Sequence, residues 1–317
     1  MTSQLTRLPA VAALGGGHGL SATLTALRRL TDRLTAIVTV ADDGGSSGRL
    51  RKEFGCLPPG DLRMALAALC GDDSDGRLWA DVLQSRFAGD GPLGGHAVGN
   101  LLIAGLWQQL RDPVDGLAMV GQLLGIRGRV LPMSAVPLAI EADVVGLRED
   151  APDETTVVQG QAQVASTPGR VLTVRLQPDR PPAHPAALDA LRRADYIILG
   201  PGSWFTSVLP HLLVPELAEA IITSPAQRIL VLNMVPAAET EGFSPSQHID
   251  VLAEHAPALR LDHVIADERF VGPDRHLETY VNRLGASLHV SRLGMRDGSA
   301  RHDPLLLAAS LAGAMTL

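Results

Sequence analysis

Glycine-rich turns and a pair of adjacent aspartates carry most of the chemistry that can be read from this chain. The first turn, Gly15-Gly16-Gly17-His18-Gly19, leads into Leu20-Ser21-Ala22, so that residues 17–22 fit G-x-G-x-x-A. Glycines at such a turn let the backbone approach a pyrophosphate, and the following helix offers N–H donors and a favourable dipole. The plain alternative is a turn that only needs glycine. A second turn, Asp42-Asp43-Gly44-Gly45-Ser46-Ser47-Gly48-Arg49, places Asp42 23 residues beyond Gly19. That is near the roughly 20-residue offset at which a carboxylate meets a ribose hydroxyl. Neighbours at a strand end point to opposite faces, so one of the two aspartates faces a given ligand group. A carboxylate beside phosphates must bind either a hydroxyl or a cation. Magnesium favours one or two carboxylates plus phosphate oxygens, which makes Asp42 or Asp43 its candidate ligand. Otherwise the aspartates and serines simply hold a tight loop.

Two further turns have the same character. Gly94-Gly95-His96-Ala97-Val98-Gly99-Asn100 enters a helix, with Asn100 able to offer an amide to a ligand and His96 either structural or ligand-facing. Gly200-Pro201-Gly202-Ser203-Trp204-Phe205-Thr206-Ser207 follows an apolar run, at the sheet edge where ligands of open α/β sheets sit. Trp204 and Phe205 there are either buried anchors or base-stacking groups. Arg301-His302-Asp303 precedes an apolar segment. Asp303 suits an N-cap with Pro304 at the first helical position, and Arg301 is either a solvated linker residue or a phosphate ligand. No Ser/His/Asp arrangement has a local triad signature.

These turns need strands and helices to hold them. Ala10 to Leu14 reads as a short buried strand, followed by helical spacing at Leu20, Leu24, Leu27 and Leu30. Leu34 to Val40 is a β-branched run suited to a parallel strand, and Ala41 to Arg49 reads as a polar loop. Asp61 suits a helix N-cap; another helix runs over 97–111, and Asp112-Pro113 starts the next. Residues 138–144, 155–164 and 171–176 alternate like half-exposed antiparallel strands. Beyond the proline-rich link 178–185, helices over 186–194, near Glu216 and over 246–254 alternate with strands at 196–199, 229–232 and 264–265. The pattern predicts one α/β domain over residues 1–317: a doubly wound, mainly parallel, Rossmann-like sheet with an antiparallel β insertion at 133–178.

Composition excludes other classes. Net charge is −7 and aromatics are 3%, which leaves neither the positive field nor the stacking platforms that nucleic-acid binding uses. Lys52 is the one lysine, and no G-x-x-x-x-G-K-[ST] string exists, which removes phosphate-loop NTPases. Cys56 and Cys70 lack C-x-x-C spacing and read as buried thiols of a reducing compartment. Residues 1–13 read as a lead-in and first strand without a signal-peptide cleavage region. No apolar stretch reaches the ~18 residues of a membrane span, so a cytoplasmic protein is expected. The apolar segment 304–317 suits a helical homodimer face.

Taken together, GGGHGL (15–20), TVADDGGSSGRLR (39–51), PPGDLRMAL (58–66), GHAVGNLL (95–102), RGRVLP (127–132), LGPGSWFTSVLPHLLVP (199–215) and RHD (301–303) resemble the YvcK/CofD-like family, in order, over about residues 10–310. The likeness is nearest to the YvcK branch, the gluconeogenesis factors of actinobacterial type. It implies a cytoplasmic Rossmann-like protein that binds UDP-sugars such as UDP-N-acetylglucosamine. It also implies support of cell shape and peptidoglycan synthesis on gluconeogenic carbon sources, through a protein partner in cell-wall regulation. On the matched motifs the implied nucleotide and phosphate contacts are Gly15, Gly16, Gly17, His18, Gly19, Asp42, Asp43, Gly44, Gly45, Ser46, Ser47, Asp61, Asn100, Gly200, Gly202, Ser203, Thr206 and Arg301. No catalytic residue is among them. The other branch, CofD, is a 2-phospho-L-lactate transferase of deazaflavin-coenzyme synthesis that uses magnesium. This chain departs from it, with Gly44-Gly45-Ser46-Ser47 where transferases carry bulky residues after the acidic pair. It departs from many YvcK relatives too, with His18 in place of a threonine and Pro304 in place of a phosphorylatable one.

Overall fold

The computed structural model describes residues 7–272, 274 and 276–317; the lead-in expected for residues 1–6 lies outside them. Among the described residues ten strands form two sheets: β1 Val11–Gly15, β2 Leu34–Val38, β3 Arg129–Pro132, β4 Ala139–Val145, β5 Thr156–Gln159, β6 Arg170–Gln177, β7 Tyr196–Leu199, β8 Gln227–Val231, β9 His263–Asp267 and β10 Ser287–Ser291. Seven of them make one sheet in the order β10-β9-β8-β7-β1-β2-β3, and every pair in it is parallel. The chain winds outward from β1 in one direction to β3, then from β7 in the other to β10. The strand order therefore reverses between β1 and β7, which is the switch point where such sheets open a crevice.

Register aligns that edge. Leu14 pairs with Ile37 on one side and Leu199 on the other, so the three strands end level and their turns emerge together. All five β1 residues are buried, as a parallel strand covered on both faces requires. Helix α1, Gly17–Leu27, buries Leu20, Leu24 and Leu27 against the sheet. Helices α2 Gly45–Phe54, α3 Pro59–Leu69, α4 Ser74–Gln84, α5 Val98–Gln109 and α6 Pro113–Leu123 follow. Asp112 caps α6 through the Val114 N–H. Asp303 likewise caps the last helix, Pro304–Ala314, by accepting from Leu305 and Leu306.

The expected insertion, 133–178, holds the three-stranded antiparallel sheet β5-β4-β6. Ile140, Ala142 and Val144 of β4 turn inward while alternate residues stay half-exposed. The strand expected over 155–164 stops at Gln159. Gly160 takes φ +99°, and Gln161–Ala165 coil into a short helix, α7. The polar loop expected over 41–49 is also corrected. Gly44 and Gly45 release the chain into α2, whose inner face buries Ser46, Ser47 and Leu50. Helix α4 and strands β3 and β10 have no counterpart in the sequence reading: α4 buries only Gly76 and Leu83, and each strand is five residues or fewer. Cys70 is buried but Cys56 is only half-buried, and both are free thiols. No helix among the described residues is long and apolar enough to cross a membrane.

Candidate functional site

The turns after β1 and β7 touch because Gly19 has no side chain. A Cβ there would lie 2.2 Å from the Pro201 carbonyl oxygen and 2.6 Å from its carbon. Gly17 is constrained differently: its φ of +57° is the left-handed region, and a Cβ would point into open space. Side chains lock the second turn from below. Thr23 Oγ1 donates to the Gly200 carbonyl at 3.1 Å, and Thr39 Oγ1 lies 3.2 Å from the Ser207 carbonyl. Asn233, in the turn after β8, accepts from the Gly202 N–H and donates to its carbonyl, both at 2.9 Å.

Between these turns lies a cleft of about 650 Å³, within the range of small-molecule sites. Of the expected residues, Gly16, Gly17, His18, Gly19, Gly202, Ser203, Thr206 and Arg301 line it. Met234, Val235 and Pro236 after β8, Met295 and His302 near the last helix, and Gln161 of α7 complete its walls. No carboxylate is among its described lining residues, and Arg301 is the one arginine or lysine there. The Arg301 guanidinium is exposed and lies 3.3 Å from Asp297. His302 is buried, and burial pushes its imidazole down to about 4 against the opposing pull of Asp267 and the Leu232 carbonyl, so it is neutral at pH 7.

The other expected residues stand behind the cleft. Asp43 Oδ1 accepts the Ala162 N–H at 3.3 Å and so tethers α7 of the insertion. Asp42 Oδ1 accepts the Gly44 N–H at 3.0 Å, while its Oδ2 would lie 2.6 Å from a Cβ on Gly60. Asp61 is not the cap of its own helix: Pro58 takes that place and Asp61 falls in the first turn of α3. Its Oδ2 would lie 2.4 Å from a Cβ on Gly16. Asp61 thus sits against the start of α1, where the Gly17 N–H favours its charged form. Burial first, and the charge of Asp42 second, push the Asp61 carboxyl up to about 7, with Gly17 and Arg63 opposing.

Ser46, Ser47 and Asn100 form a buried network rather than a cleft wall. Arg63 Nε donates to Asn100 Oδ1 at 2.9 Å, which turns Asn100 Nδ2 toward Ser46 Oγ at 3.0 Å. Ser46 Oγ also accepts the Ala97 N–H at 3.3 Å. Its own proton therefore goes to His96 Nδ1 at 2.9 Å. His96 is structural, and so are Trp204 and Phe205, whose side chains are fully buried. Gly15 and Gly200 end β1 and follow β7, beneath the turns. Sequence reasoning missed Asn233, though its place after β8 is where the carboxyl-end rule points. It also missed Glu239, a lone acid in a loop with no periodic signal; the structure buries it against Ser203.

A family model described as 2-phospho-L-lactate transferase CofD matches residues 11–297. A Mycobacterium tuberculosis (strain ATCC 25618 / H37Rv) protein named "Putative gluconeogenesis factor" is 54% identical over 307 residues, 96% of this chain and 89% of that protein. The "Gluconeogenesis factor" of Bacillus subtilis (strain 168) is 36% identical over 273 residues, 86% of this chain and 82% of that one. A Bacillus halodurans crystal structure at 2.60 Å, titled as a member of the UPF0052 family, superposes with a TM-score of 0.83 at 33% identity. It covers 96% of this chain and 99% of that one.

Two outcomes follow from this geometry. Gly19→Ala drives a methyl into a backbone carbonyl and should lower Tm more than Gly17→Ala, whose left-handed strain costs about 1–2 kcal/mol. Equal melting curves for Gly19→Ala and wild type would remove the contact between the turns. Because the Asp61 carboxyl is raised from 3.8 to about 7, the stability tied to its neutral form is full below about pH 4 and is lost progressively as pH rises from about 4 to about 7. Asp61→Asn should therefore match wild type near pH 4 and gain on it progressively up to pH 7, by on the order of 3–4 kcal/mol. Parallel Tm-against-pH curves for the two proteins would contradict this.

Proposed function

The chain belongs to the CofD family, on the side that holds the gluconeogenesis factors, and from that premise we propose that it is a nucleotide-sugar-binding protein. Its ligand on this reading is a UDP-sugar of the UDP-N-acetylglucosamine type, captured in the switch-point cleft and not turned over. The observation that carries the reading is the make-up of that cleft. Backbone of Gly16–Gly19 at the head of α1 faces the Gly202–Ser207 turn, and among the described lining residues a single guanidinium stands at the rim and none is a carboxylate. Such a surface favours a diphosphate, with apolar Met234, Val235, Pro236 and Met295 beside it for a ring. The exposed ion pair of Arg301 with Asp297 holds the guanidinium only weakly, so a phosphate can take it over. Its planar fork then makes paired, charge-assisted bonds. The proposal extends, on the family resemblance of its motifs, to a cytoplasmic role in cell shape and peptidoglycan synthesis on gluconeogenic carbon sources. There the occupied state, as a homodimer, signals to a protein partner.

A CofD-type phosphoryl transferase is the second reading, favoured by the carboxylates behind Gly16. Asp42 and Asp61 lie close enough for the charge of one to raise the other, and a divalent cation relieves that repulsion. Asp43 is spent on α7, so Asp42 and Asp61 are the residues that would hold Mg²⁺. Bound there, the ion would neutralise charge on a transferring phosphoryl group. Among the described residues no group of three or more His, Cys, Asp or Glu could complete the site, so phosphate oxygens and water would supply the other ligands.

Calorimetry with UDP-N-acetylglucosamine, in magnesium and in chelator, with mass spectrometry for product, separates the two readings. Binding without turnover, equal in both buffers, supports capture. Transfer of phospholactate to a deazaflavin acceptor would sink it. Arg301→Ala should weaken UDP-N-acetylglucosamine by about one to two decades at unchanged Tm; unchanged affinity would return Arg301 to the solvent.

A further inference from the structure

The turn after β7 carries a hydroxyl whose proton is already committed. Ser203 lines the cleft, and its Oγ lies 2.6 Å from Glu239 Oε1. Glu239 is 3% exposed and sits in the short turn Ala238–Thr240 after β8. Its Oε1 also receives the Phe205 N–H at 3.2 Å. As a carboxylate, Glu239 accepts both bonds at Oε1, from the Phe205 N–H and from the Ser203 hydroxyl. Thr206 Oγ1 is in hydrogen-bond contact with Ser203 Oγ. Because Ser203 has spent its one proton, Thr206 donates in that pair. Both protons thus run inward, from Thr206 to Ser203 and from Ser203 to Glu239.

What Ser203 keeps for the cleft is a lone pair, backed by a buried carboxyl with no ion-pair partner among the described residues. A phosphate brings only lone pairs and negative charge, so at this corner it meets repulsion. A hydroxyl brings the proton that the corner lacks. The position is also fixed: the Phe205 N–H holds Glu239, and Glu239 holds Ser203, before any ligand arrives. We propose that Ser203, positioned by Glu239, is a specificity-determining acceptor that reads a hydroxyl donor on the ligand, on its ribose or its sugar, and not the phosphates. This rests on the nucleotide-sugar reading, and it moves Ser203 and Thr206 out of the phosphate-binding set expected from sequence. The phosphates are left to the Gly17–Gly19 backbone and Arg301.

The test is calorimetry with inorganic pyrophosphate, UDP and UDP-N-acetylglucosamine on wild type and Ser203→Ala, with pyrophosphate measured by competition so that weak binding is still read. Ser203→Ala should weaken UDP-N-acetylglucosamine by about tenfold and leave pyrophosphate within about twofold. A loss already present with UDP puts the donor on the ribose; a loss confined to UDP-N-acetylglucosamine puts it on the sugar. Ser203→Cys, of similar shape with a weaker acceptor, should give the same pattern if the alanine variant does not fold. Glu239→Ala frees the Ser203 proton and should tighten pyrophosphate while weakening UDP-N-acetylglucosamine, an exchange that a merely structural glutamate would not produce. Glu239→Gln keeps an accepting oxygen and should restore the wild-type order. Equal loss for pyrophosphate and the UDP-sugar, or no loss for any probe, overturns the assignment of Ser203. Wild-type protein that binds none of the three overturns the nucleotide-sugar reading itself.

Discussion

Strands β1 and β7 lie side by side in register, and their turns can both bend over the same edge only because Gly19 carries nothing where the Pro201 carbonyl passes. Much follows from that approach. It sets the start of α1 against the β7 turn, and with it the direction in which the free N–H groups of α1 point. It also brings Ser203, Thr206 and Ser207 to the wall facing the glycine turn. Asn233 then fixes Gly202 from the β8 side through two hydrogen bonds. The cleft is thus assembled from main chain held by small residues, which suits a ligand recognised by shape and phosphate charge more than by a reactive side chain.

Charge is divided across that wall. The chain as a whole is acidic, yet its carboxylates are kept out of the cleft lining. Asp43 is turned to α7, Asp42 to its own turn, and Asp61 to the back of Gly16. Arg63 is buried behind them and hydrogen-bonded to Asn100, so its positive charge offsets Asp42 and Asp61 without facing the ligand. Asp42 and Asp43 point to different partners. One serves the glycine-serine turn and the other ties the β insertion to the main sheet, whose helix α7 closes one side of the cleft.

The sheet was legible because parallel strands covered on both faces are short apolar runs, and Ala10–Leu14, Tyr196–Leu199 and Ile229–Leu232 read that way. The turns were legible because their glycines are forced by the backbone. What could not be read were contacts between segments far apart in sequence. Asp61 looks like an N-cap by local rules, but it falls in the first turn of α3 with its carboxyl against the start of α1, 44 residues earlier at Gly17. Ser46 and Ser47 look like loop residues until Asn100, 54 positions from Ser46, gives them buried partners and so a helix. Glu239 has no local signature at all. Its burial is decided by the β7 turn packing over the β8 turn, and no periodicity within either turn encodes that.

The carboxyl held at the head of α1 has a cost that shapes what the site can do. A helix N-terminus has few free N–H groups and one dipole, and the Asp61 carboxyl already lies against its start at Gly16. An incoming diphosphate therefore shares that dipole with a carboxyl, and two negative groups on one helix end repel. Two routes relieve the repulsion. Asp61, raised to about 7, can take up a proton near neutral pH, or a cation between Asp42 and Asp61 can neutralise both. The first needs nothing beyond the chain and leaves the phosphates unpolarised, which is sufficient for capture. The second also places a cation behind the phosphates, where bond cleavage would need it. A change of charge state at this one carboxyl pair is thus the physical difference between a nucleotide-sugar receptor and a phosphoryl transferase built on the same turns.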